Sequence, residues 1–392
     1  MRGRRARPVV TVALRAGVVA LAMLTVACGT NARPAAGNTS AGSTAAGTAR
    51  GVAAAPAGTI TESGSGLLYP LARTWAAAYH RQFPGVTVTT ASTGSGTGIA
   101  LASAGKIDIG ASDAYLASGD LAANRTLLNI PLTISAQTVI YNLPALARGS
   151  HVNLNGAVLA RMYAGTITMW NDQAIARLNP GLRLPAIKVV PVHRSNRSGD
   201  TFLFTSYLST QDPQWNDTIG YGTTAAWPRV PGARDAGGSI AMMSVCESAP
   251  GCVAYNGISY LSQALAGRLG EAALANTVGR FTLPTAGAIQ DSAATFASIT
   301  PPNETISMID GPSVDGYPIV NYEYAIVSIR QPDARKASGI RAFLDWVITT
   351  GNAASYLDPV GFAPLPPAVA TLSREQVAEI GSLARPGRPG LA

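Results

Sequence analysis

The chain has 392 residues, with 29 Lys and Arg against 21 Asp and Glu and a formal net charge of +8. This length predicts two domains or one large one. Hydrophobic residues make up 47% of the chain, which excludes global disorder. Only 13% of residues are charged and 6% are aromatic, whereas a nucleic-acid surface needs clustered basic and aromatic side chains. We therefore expect no nucleic-acid partner.

The first 27 residues have the pattern of an export signal. Arginines without any acid precede an apolar run from Ala16 to Ala27, which is too short for a membrane-spanning helix. The run ends at Cys28 in a sequence similar to a bacterial lipobox. We predict a signal peptide at residues 1–27 and a lipid on Cys28, which would anchor an exported protein to the outer face of the cytoplasmic membrane. The alternative is an ordinary export signal with an incidental cysteine.

The next segment and the cysteine pair fit that prediction. Residues 28–58 are rich in Ala, Gly, Thr and Ser, which predicts a disordered tether between the lipid and the folded part. In an exported protein, Cys246 and Cys252, which flank a Pro-Gly pair, are expected to form a disulfide. A metal site is disfavoured there because no His or further Cys lies nearby in the sequence.

From Thr59 onward, patterns typical of strands and helices alternate. This alternation predicts an α/β fold with largely parallel sheets. Ser373 and Gln376 have the spacing of a capping box, which predicts the start of a last short helix. Strands are predicted over 85–90, 107–110, 186–192 and 319–327, and helices over 67–83, from 202 and over 340–348.

Three Ser/Gly turns, within 62–68, 93–99 and 193–201, each lead into a predicted helix. A helix start presents unpaired N–H groups and the positive end of the helix dipole, and Gly lets a ligand approach the backbone. Helix capping alone explains any one of these turns. Three turns together, with Arg194 in the third, predict a site for a compact oxyanion such as phosphate or sulfate.

Asp113 follows the predicted strand that ends at Gly110. A carboxylate accepts a hydrogen bond from phosphate that still carries a proton, but it repels fully ionised sulfate, so Asp113 is a candidate for anion selection. The alternative, which the residues leave open, is that Asp113 caps a helix beginning near Ala114.

Taken in order, these motifs resemble the phosphate-binding subunit of the bacterial Pst-type ABC transporter. The resemblance extends from about Thr59 to Leu372 and is carried by 66–70, 93–96, 109–114, 163–170 and 194–204. It implies a two-lobed periplasmic-binding-protein fold of type II with a hinge between the lobes. The implied parts are lobe 1 at 59–140 and 320–380, lobe 2 at 141–319, and a flexible tail at 381–392.

The resemblance also implies which residues hold phosphate. They would supply backbone N–H groups, hydroxyls, a guanidinium and, from Asp113, an acceptor for the phosphate proton. Asp200 would offer its backbone N–H or accept a second ligand proton. The matching residues are Ser65, Gly66, Leu67, Ser95, Asp113, Arg194, Ser198, Gly199 and Asp200.

Three positions depart from the family pattern. Gly66 stands where Thr is frequent, and Arg197 stands where Gly is usual. Asn196 stands where the family has an Asp that pairs with the arginine, which predicts that Arg194 is left more positive.

The expected function is the capture of inorganic phosphate and its delivery to the membrane permease subunits of a phosphate ABC transporter. We expect a monomer with no cofactor, no metal and no catalytic residue, because the GxSxG and HExxH motifs of hydrolases are missing from the sequence. The alternatives are a binding protein for sulfate or another oxyanion, an enzyme acting on phosphate esters, and a surface adhesin.

Overall fold

The computed structural model describes residues 57–381. The predicted signal peptide, the lipidation residue Cys28, the tether up to residue 56 and the tail from residue 382 lie outside the described residues. None of the helices within 57–381 is long and apolar enough to cross a membrane.

The described strands belong to a large sheet and a small one. Strands β1 to β12 cover Gly58–Gly64, Val86–Thr89, Ile109–Ser112, Leu127–Tyr141, Asn153–Leu154, Val190–Arg194, Arg234–Ala236, Cys252–Gly257, Gly270–Glu271, Ala273–Ala275, Phe281–Thr282 and Val320–Ser328. The order in the large sheet is β2-β1-β3-β12-β4-β8-β6-β7, with β9 beside β4, and the small sheet is β11-β10-β5.

The helices lie between these strands along the chain. Helices α1 to α13 cover Tyr69–Gln82, Ser95–Ser103, Ser118–Ala123, Gly156–Tyr163, Gln173–Leu178, Gly199–Gln211, Pro213–Thr218, Ser239–Glu247, Leu261–Ala266, Ala286–Ala294, Ala334–Ile348, Ala354–Leu357 and Pro367–Glu379.

The large sheet contains two parallel blocks joined by two antiparallel strands. β2, β1 and β3 form one block, and β8, β6 and β7 form the other. Between them, β4 and β12 pair antiparallel along the full length of β12, and the register shifts between Glu323 and Tyr324. The sheet is therefore mixed instead of largely parallel, because the two longest strands run against their neighbours.

Strands β4 and β12 place polar and apolar side chains on opposite faces. Ser135 and Gln137 alternate with apolar residues on β4, and Asn321 and Glu323 alternate with tyrosines on β12. All four polar residues are buried. The middle of the large sheet therefore carries a buried polar face.

Aromatic side chains pack helices onto the first parallel block. Tyr79 of α1 contacts Phe343 and Trp346 of α11 at ring-centroid distances of 5.0 and 5.4 Å. Burial of such large rings is a major part of the apolar area removed from water. Their contact holds α1 and α11 together on the same side of this block.

The last helix differs from its prediction. α13 begins at Pro367, so Ser373 and Gln376 lie inside the helix and do not cap its start. Their side chains donate instead to the buried carboxylate of Glu304, at 2.9 and 2.6 Å. The capping-box prediction is therefore wrong.

The predicted disulfide between Cys246 and Cys252 is confirmed. It joins the last turn of α8 to the first residue of β8, with a Cα–Cα distance of 5.3 Å. Both cysteines are fully buried, so the bond fixes a tight turn within the core.

Glu62 on β1 is a buried acid that has no ion-pair partner among residues 57–381. It lines a small cavity with apolar side chains that include Leu68, Trp75 and Phe343. Burial raises the pKa of Glu62 from 4.5 to about 8. The folded protein therefore holds this proton up to a higher pH than the unfolded chain does, so stability is full below about pH 4.5 and falls as the pH rises to about 8.

Glu62→Gln should remove that pH-dependent loss of stability, which amounts to at most about 5 kcal/mol. Urea unfolding at several pH values should show a flatter profile for this variant than for the wild type. Asp291→Asn, which removes an exposed acid, is the control and should keep the wild-type slope. Identical slopes for Glu62→Gln and the wild type would contradict the assignment.

Candidate functional site

The predicted site residues gather at the carboxyl ends of parallel strands. Ser65 follows β1, Asp113 follows β3, and Arg194 is the last residue of β6. β1 and β3 belong to one parallel block and β6 to the other, and the three antiparallel pairings between them make β6 run opposite to β1 and β3. The site therefore lies where the carboxyl ends of the two blocks meet, which forms a cleft for ligands. All nine residues predicted to bind the anion are buried.

The first turn is held by the hydroxyl of Ser65. Its Oγ accepts from the N–H of Leu68 at 2.8 Å and donates to Oδ1 of Asp113. The carbonyls of Gly66 and Leu67 accept from the hydroxyls of Tyr260 and Ser259, at 3.1 and 2.7 Å. These contacts fix the turn just before α1 begins.

Asp113 is not a helix cap. The helix after it, α3, begins at Ser118 with Ala117 as its N-cap. The N–H of Asp113 instead donates to Oγ of Ser95 at 3.1 Å, which joins two of the predicted site residues. Of the two readings that the residues allow, the structure therefore disfavours the cap.

The carboxyl group of Asp113 faces other acids. Its side chain is 1% exposed, and its Oδ2 has no hydrogen-bonding partner among the described residues. Burial, followed by the negative charges of Glu323 and Asp200, raises its pKa well above its usual range. Asp113 therefore binds a proton much more tightly than an exposed aspartate does.

Arg194 is buried and paired. Its Nη1 forms an ion pair with the carboxylate of Asp200, and its Nε donates to Oδ1 of Asn196 at 2.9 Å. The backbone N–H of Arg194 donates to the hydroxyl of Tyr255 at 2.9 Å. The prediction of a more positive Arg194 is wrong, because Asp200 supplies the negative charge that Asn196 lacks.

The third turn caps α6 and touches α2. The N–H of Asp200 donates to Oγ of Ser198 at 3.1 Å, so this N–H serves the helix cap. The carbonyl of Arg197 accepts from the N–H of Gly96 at 3.3 Å. A methyl group at Gly199 would overlap Asp113 and Ser95, so the absence of a side chain lets the second and third turns meet.

Ser239 joins the site but is not among the predicted residues. It is the first residue of α8, and its Oγ lies 3.4 Å from both Asp200 Oδ2 and Arg194 Nη1. A methyl group added at Gly66 would lie 3.2 Å from the same Oγ. The signal in the sequence is the pair of glycines before Ser239, which repeats the Ser/Gly pattern of the three predicted turns.

Glu323 is a second residue of the site that was not predicted from the sequence. It lies on β12, and its Oε2 is 3.3 Å from Oγ of Ser65, while Oε1 accepts from Ser135 at 2.6 Å and from Asn321 at 3.2 Å. Burial raises the pKa of Glu323, whereas these donors act in the opposite direction. An acid within an apolar strand is the sequence signal for this residue.

The arrangement suits a compact oxyanion. Hydroxyls, one guanidinium and the starts of α2, α6 and α8 surround a buried carboxyl group that can exchange a proton. Within residues 57–381, no group of three or more His, Cys, Asp or Glu side chains could hold a metal ion.

Comparisons with known proteins agree with this geometry. Residues 38–350 match the family model described as PBP superfamily domain. The chain is 34% identical over 311 residues to the phosphate-binding protein PstS of Pasteurella multocida, covering 79% of this chain and 86% of that protein.

Solved structures show the same fold. A high-affinity periplasmic phosphate-binding protein bound with phosphate (PfluDING) superposes with a TM-score of 0.62 at 21% identity, covering 81% of this chain and 93% of that one. An ABC-type phosphate transport receptor from Vibrio cholerae gives a TM-score of 0.51 at 19% identity, covering 78% and 100%. The predicted two-lobed fold is confirmed.

Gly199→Ala should destabilise the folded protein by about 1–3 kcal/mol, because its methyl group must displace Asp113 or Ser95. Urea unfolding measures the loss. Gly287→Ala is the matched control, since an added methyl group at that exposed helical position meets nothing within 4 Å. An equal effect of the two substitutions would contradict the close contact at Gly199.

Proposed function

Because this chain belongs to the PstS family of phosphate-binding proteins, we propose that it captures inorganic phosphate and delivers it to the permease of a phosphate ABC transporter. The observation that carries the proposal is a buried carboxyl group, Asp113, which contacts the hydroxyls of Ser65 and Ser95 and interacts electrostatically with Asp200, the ion-pair partner of the buried Arg194. The printed names of relatives and structural neighbours, which describe phosphate binding and ABC-type phosphate transport, support it.

In this proposal each turn contributes one kind of interaction. The hydroxyls of Ser65, Ser95 and Ser239 donate to phosphate oxygens, and the N–H groups of Gly66 and Gly199 can approach the anion closely. Arg194 supplies the positive charge. The carboxylate of Asp113 accepts a hydrogen bond from the P–OH group of phosphate, which sulfate lacks, and this provides selectivity.

Release of phosphate requires the cleft to open. We assign 59–140 and 320–380 to one lobe and 141–319 to the other, so that β4 and β12 carry the chain between them. The contacts of Arg197 with Gly96 and of Gly199 with Asp113 would then cross the cleft and break when it opens. A monomer suffices for this cycle.

Two alternatives are less well supported. A sulfate-binding protein would not place a buried carboxylate against its ligand, because sulfate carries no proton to share with it. An ester hydrolase needs a metal cluster or a nucleophile with a base, and Ser65 and Ser95 have carboxyl and main-chain partners instead of a histidine. We therefore expect binding without turnover.

The proposed location is the outer face of the cytoplasmic membrane, through a lipid on Cys28. The support is the sequence of residues 1–28. All the residues proposed to bind phosphate lie within residues 57–381, so the anchor should affect where the protein is held and not what it binds.

Titration calorimetry tests the function and the role of Asp113 together. The wild type should bind phosphate at micromolar concentration or below and prefer it to sulfate. Asp113→Asn should reduce that preference by about tenfold or more, because the neutral amide no longer distinguishes a protonated from an unprotonated anion. Asp217→Asn, at an exposed position, should leave both affinities unchanged. The absence of phosphate binding by the wild type would refute the proposed function.

Cys28→Ser should release the protein from the membrane fraction of cells that export it. Phosphate affinity of the released protein should equal that of the wild type. Membrane attachment that is independent of Cys28 would show that the anchor is assigned incorrectly.

A further inference from the structure

Three aromatic rings meet next to the anion site. Tyr115 lies two residues after Asp113, and Phe202 lies two residues after Asp200. The rings of Tyr115 and Phe202 are 5.3 Å apart at 89°, and the ring of Tyr221 is 5.7 Å from that of Phe202 at 72°. Both arrangements are edge-to-face, which is a favourable geometry for aromatic pairs. We call Tyr115, Phe202 and Tyr221 the aromatic cluster.

The aromatic cluster extends from the interior to the surface. Phe202 is 9% exposed, Tyr115 is half-buried, and Tyr221 is 55% exposed. Burial, followed by the neighbouring Tyr221, raises the pKa of Tyr115, so its hydroxyl keeps its proton and can donate to the hydroxyl of Tyr221. The cluster therefore reaches from solvent to the helix that begins at the third turn.

The segment that carries Tyr115 is attached to the middle of the large sheet. The N–H of Leu116 donates to Oδ1 of Asn129 on β4 at 3.1 Å. The N–H of Ala114 donates to Oγ of Ser112 on β3 at 3.0 Å. These bonds make Tyr115 move together with β3 and β4.

The segment that carries Tyr221 is attached to α6 and to the turn before it. The N–H of Gly222 donates to Oγ1 of Thr205 on α6 at 3.3 Å. The carbonyl of Thr223 accepts from the N–H of Ser198 in the third turn at 2.8 Å. Tyr221 and Phe202 therefore move as one unit with α6.

The same unit also covers the start of α2. A methyl group added at Gly96 would lie 3.1 Å from Oγ1 of Thr223 and 2.7 Å from Cβ of Arg197. Residues 197 and 221–223 therefore contact both the second turn and Tyr115. In the proposed lobe assignment, Tyr115 and Gly96 belong to lobe 1, whereas Arg197, Phe202 and residues 221–223 belong to lobe 2.

These contacts bear on how a bound anion leaves. All nine residues predicted to hold the anion are buried, so release requires the lobes to separate. Separation would break the edge-to-face contact of Tyr115 with Phe202 and its hydroxyl contact with Tyr221. Neither contact requires the anion to be present.

We propose that the aromatic cluster is a latch across the cleft, in which Tyr115 and Tyr221 slow the release of the bound anion. Both tyrosines are positioning residues, since they act on lobe closure and not on the anion itself. In the open protein the rings are apart and the polar groups of the site are unchanged. The latch therefore controls the dissociation rate and not the association rate. This proposal rests on the proposed function.

Stopped-flow kinetics of the full-length protein, with inorganic phosphate as the probe, tests the latch. Tyr221→Ala should raise the dissociation rate by about two- to tenfold, because opening no longer breaks the contacts of this ring. The association rate should stay within about twofold of the wild-type value. Tyr221→Phe keeps the ring and should dissociate more slowly than Tyr221→Ala. An unchanged dissociation rate in Tyr221→Ala, or equal rates in the two variants, would overturn the proposal.

Tyr356→Ala is the matched control. Tyr356 is also a half-buried tyrosine in an edge-to-face contact, with Trp346 at 5.8 Å, but both residues lie in lobe 1 as assigned. This variant should keep the wild-type dissociation rate, whatever it loses in stability towards urea. A faster release of phosphate from Tyr356→Ala, equal to that from Tyr221→Ala, would show that the effect is not specific to the cleft.

Cross-linking separates the latch from the proposed function. The double variant Tyr115→Cys/Tyr221→Cys adds two thiols to a chain whose Cys246 and Cys252 are already joined. A short bifunctional maleimide should bridge these thiols in the empty protein, as mass spectrometry can show. Each single variant should give no bridge.

Bridging should hold the cleft closed. Phosphate added before the reagent should then remain bound through dialysis, and phosphate added afterwards should be excluded. Failure of the bridge to form, or free exchange of phosphate in the bridged protein, would overturn the latch. A bridge that forms in a protein whose wild type does not bind phosphate would refute only the function.

Discussion

The ion pair between Arg194 and Asp200 is the interaction on which the site depends. Within residues 57–381, Arg194 is the only Lys or Arg side chain that is buried. A buried charge is tolerated only with a partner and further hydrogen bonds, which Asp200, Asn196 and Tyr255 provide. This requirement holds the end of β6 against the start of α6 in one geometry.

Part of this site is predictable because its signals are local. Ser65 and Arg194 lie at strand ends, and Ser/Gly patterns before helices identify the turns from short stretches of sequence. The role of Asp113 is ambiguous at that level, because an acid before a helix is also a common cap. Only the position of α3, which begins at Ser118, favours one reading.

The rest depends on contacts between distant segments. Glu323 meets Ser65 only because β12 returns between β3 and β4, and no local pattern specifies that order. The dependence on distant contacts also explains why the capping-box prediction in α13 is wrong. Ser373 and Gln376 have capping-box spacing, but their partner is Glu304, which is distant in sequence. Local spacing cannot reveal such a partner.

The alternation of strands and helices predicts the α/β fold class, but it does not predict the directions in which the strands run. The two parallel blocks are predictable as α/β units, since each contains strands connected by helices. The antiparallel pair β4 and β12 lies between them, and its buried polar face is visible only once the pairing is known. This polar face forms the floor of the site. The loops of the site can therefore be predicted from local sequence patterns, whereas its floor cannot.

The register of β12 beside Glu323 limits which insertions and deletions the chain can tolerate. Side chains of a strand alternate between two faces, so the insertion or deletion of one residue before Glu323 would turn its carboxylate away from Ser65 and bring a tyrosine to the floor. Length changes in surface loops leave this alternation intact. Insertions and deletions that preserve the site should therefore occur in surface loops and not within β12.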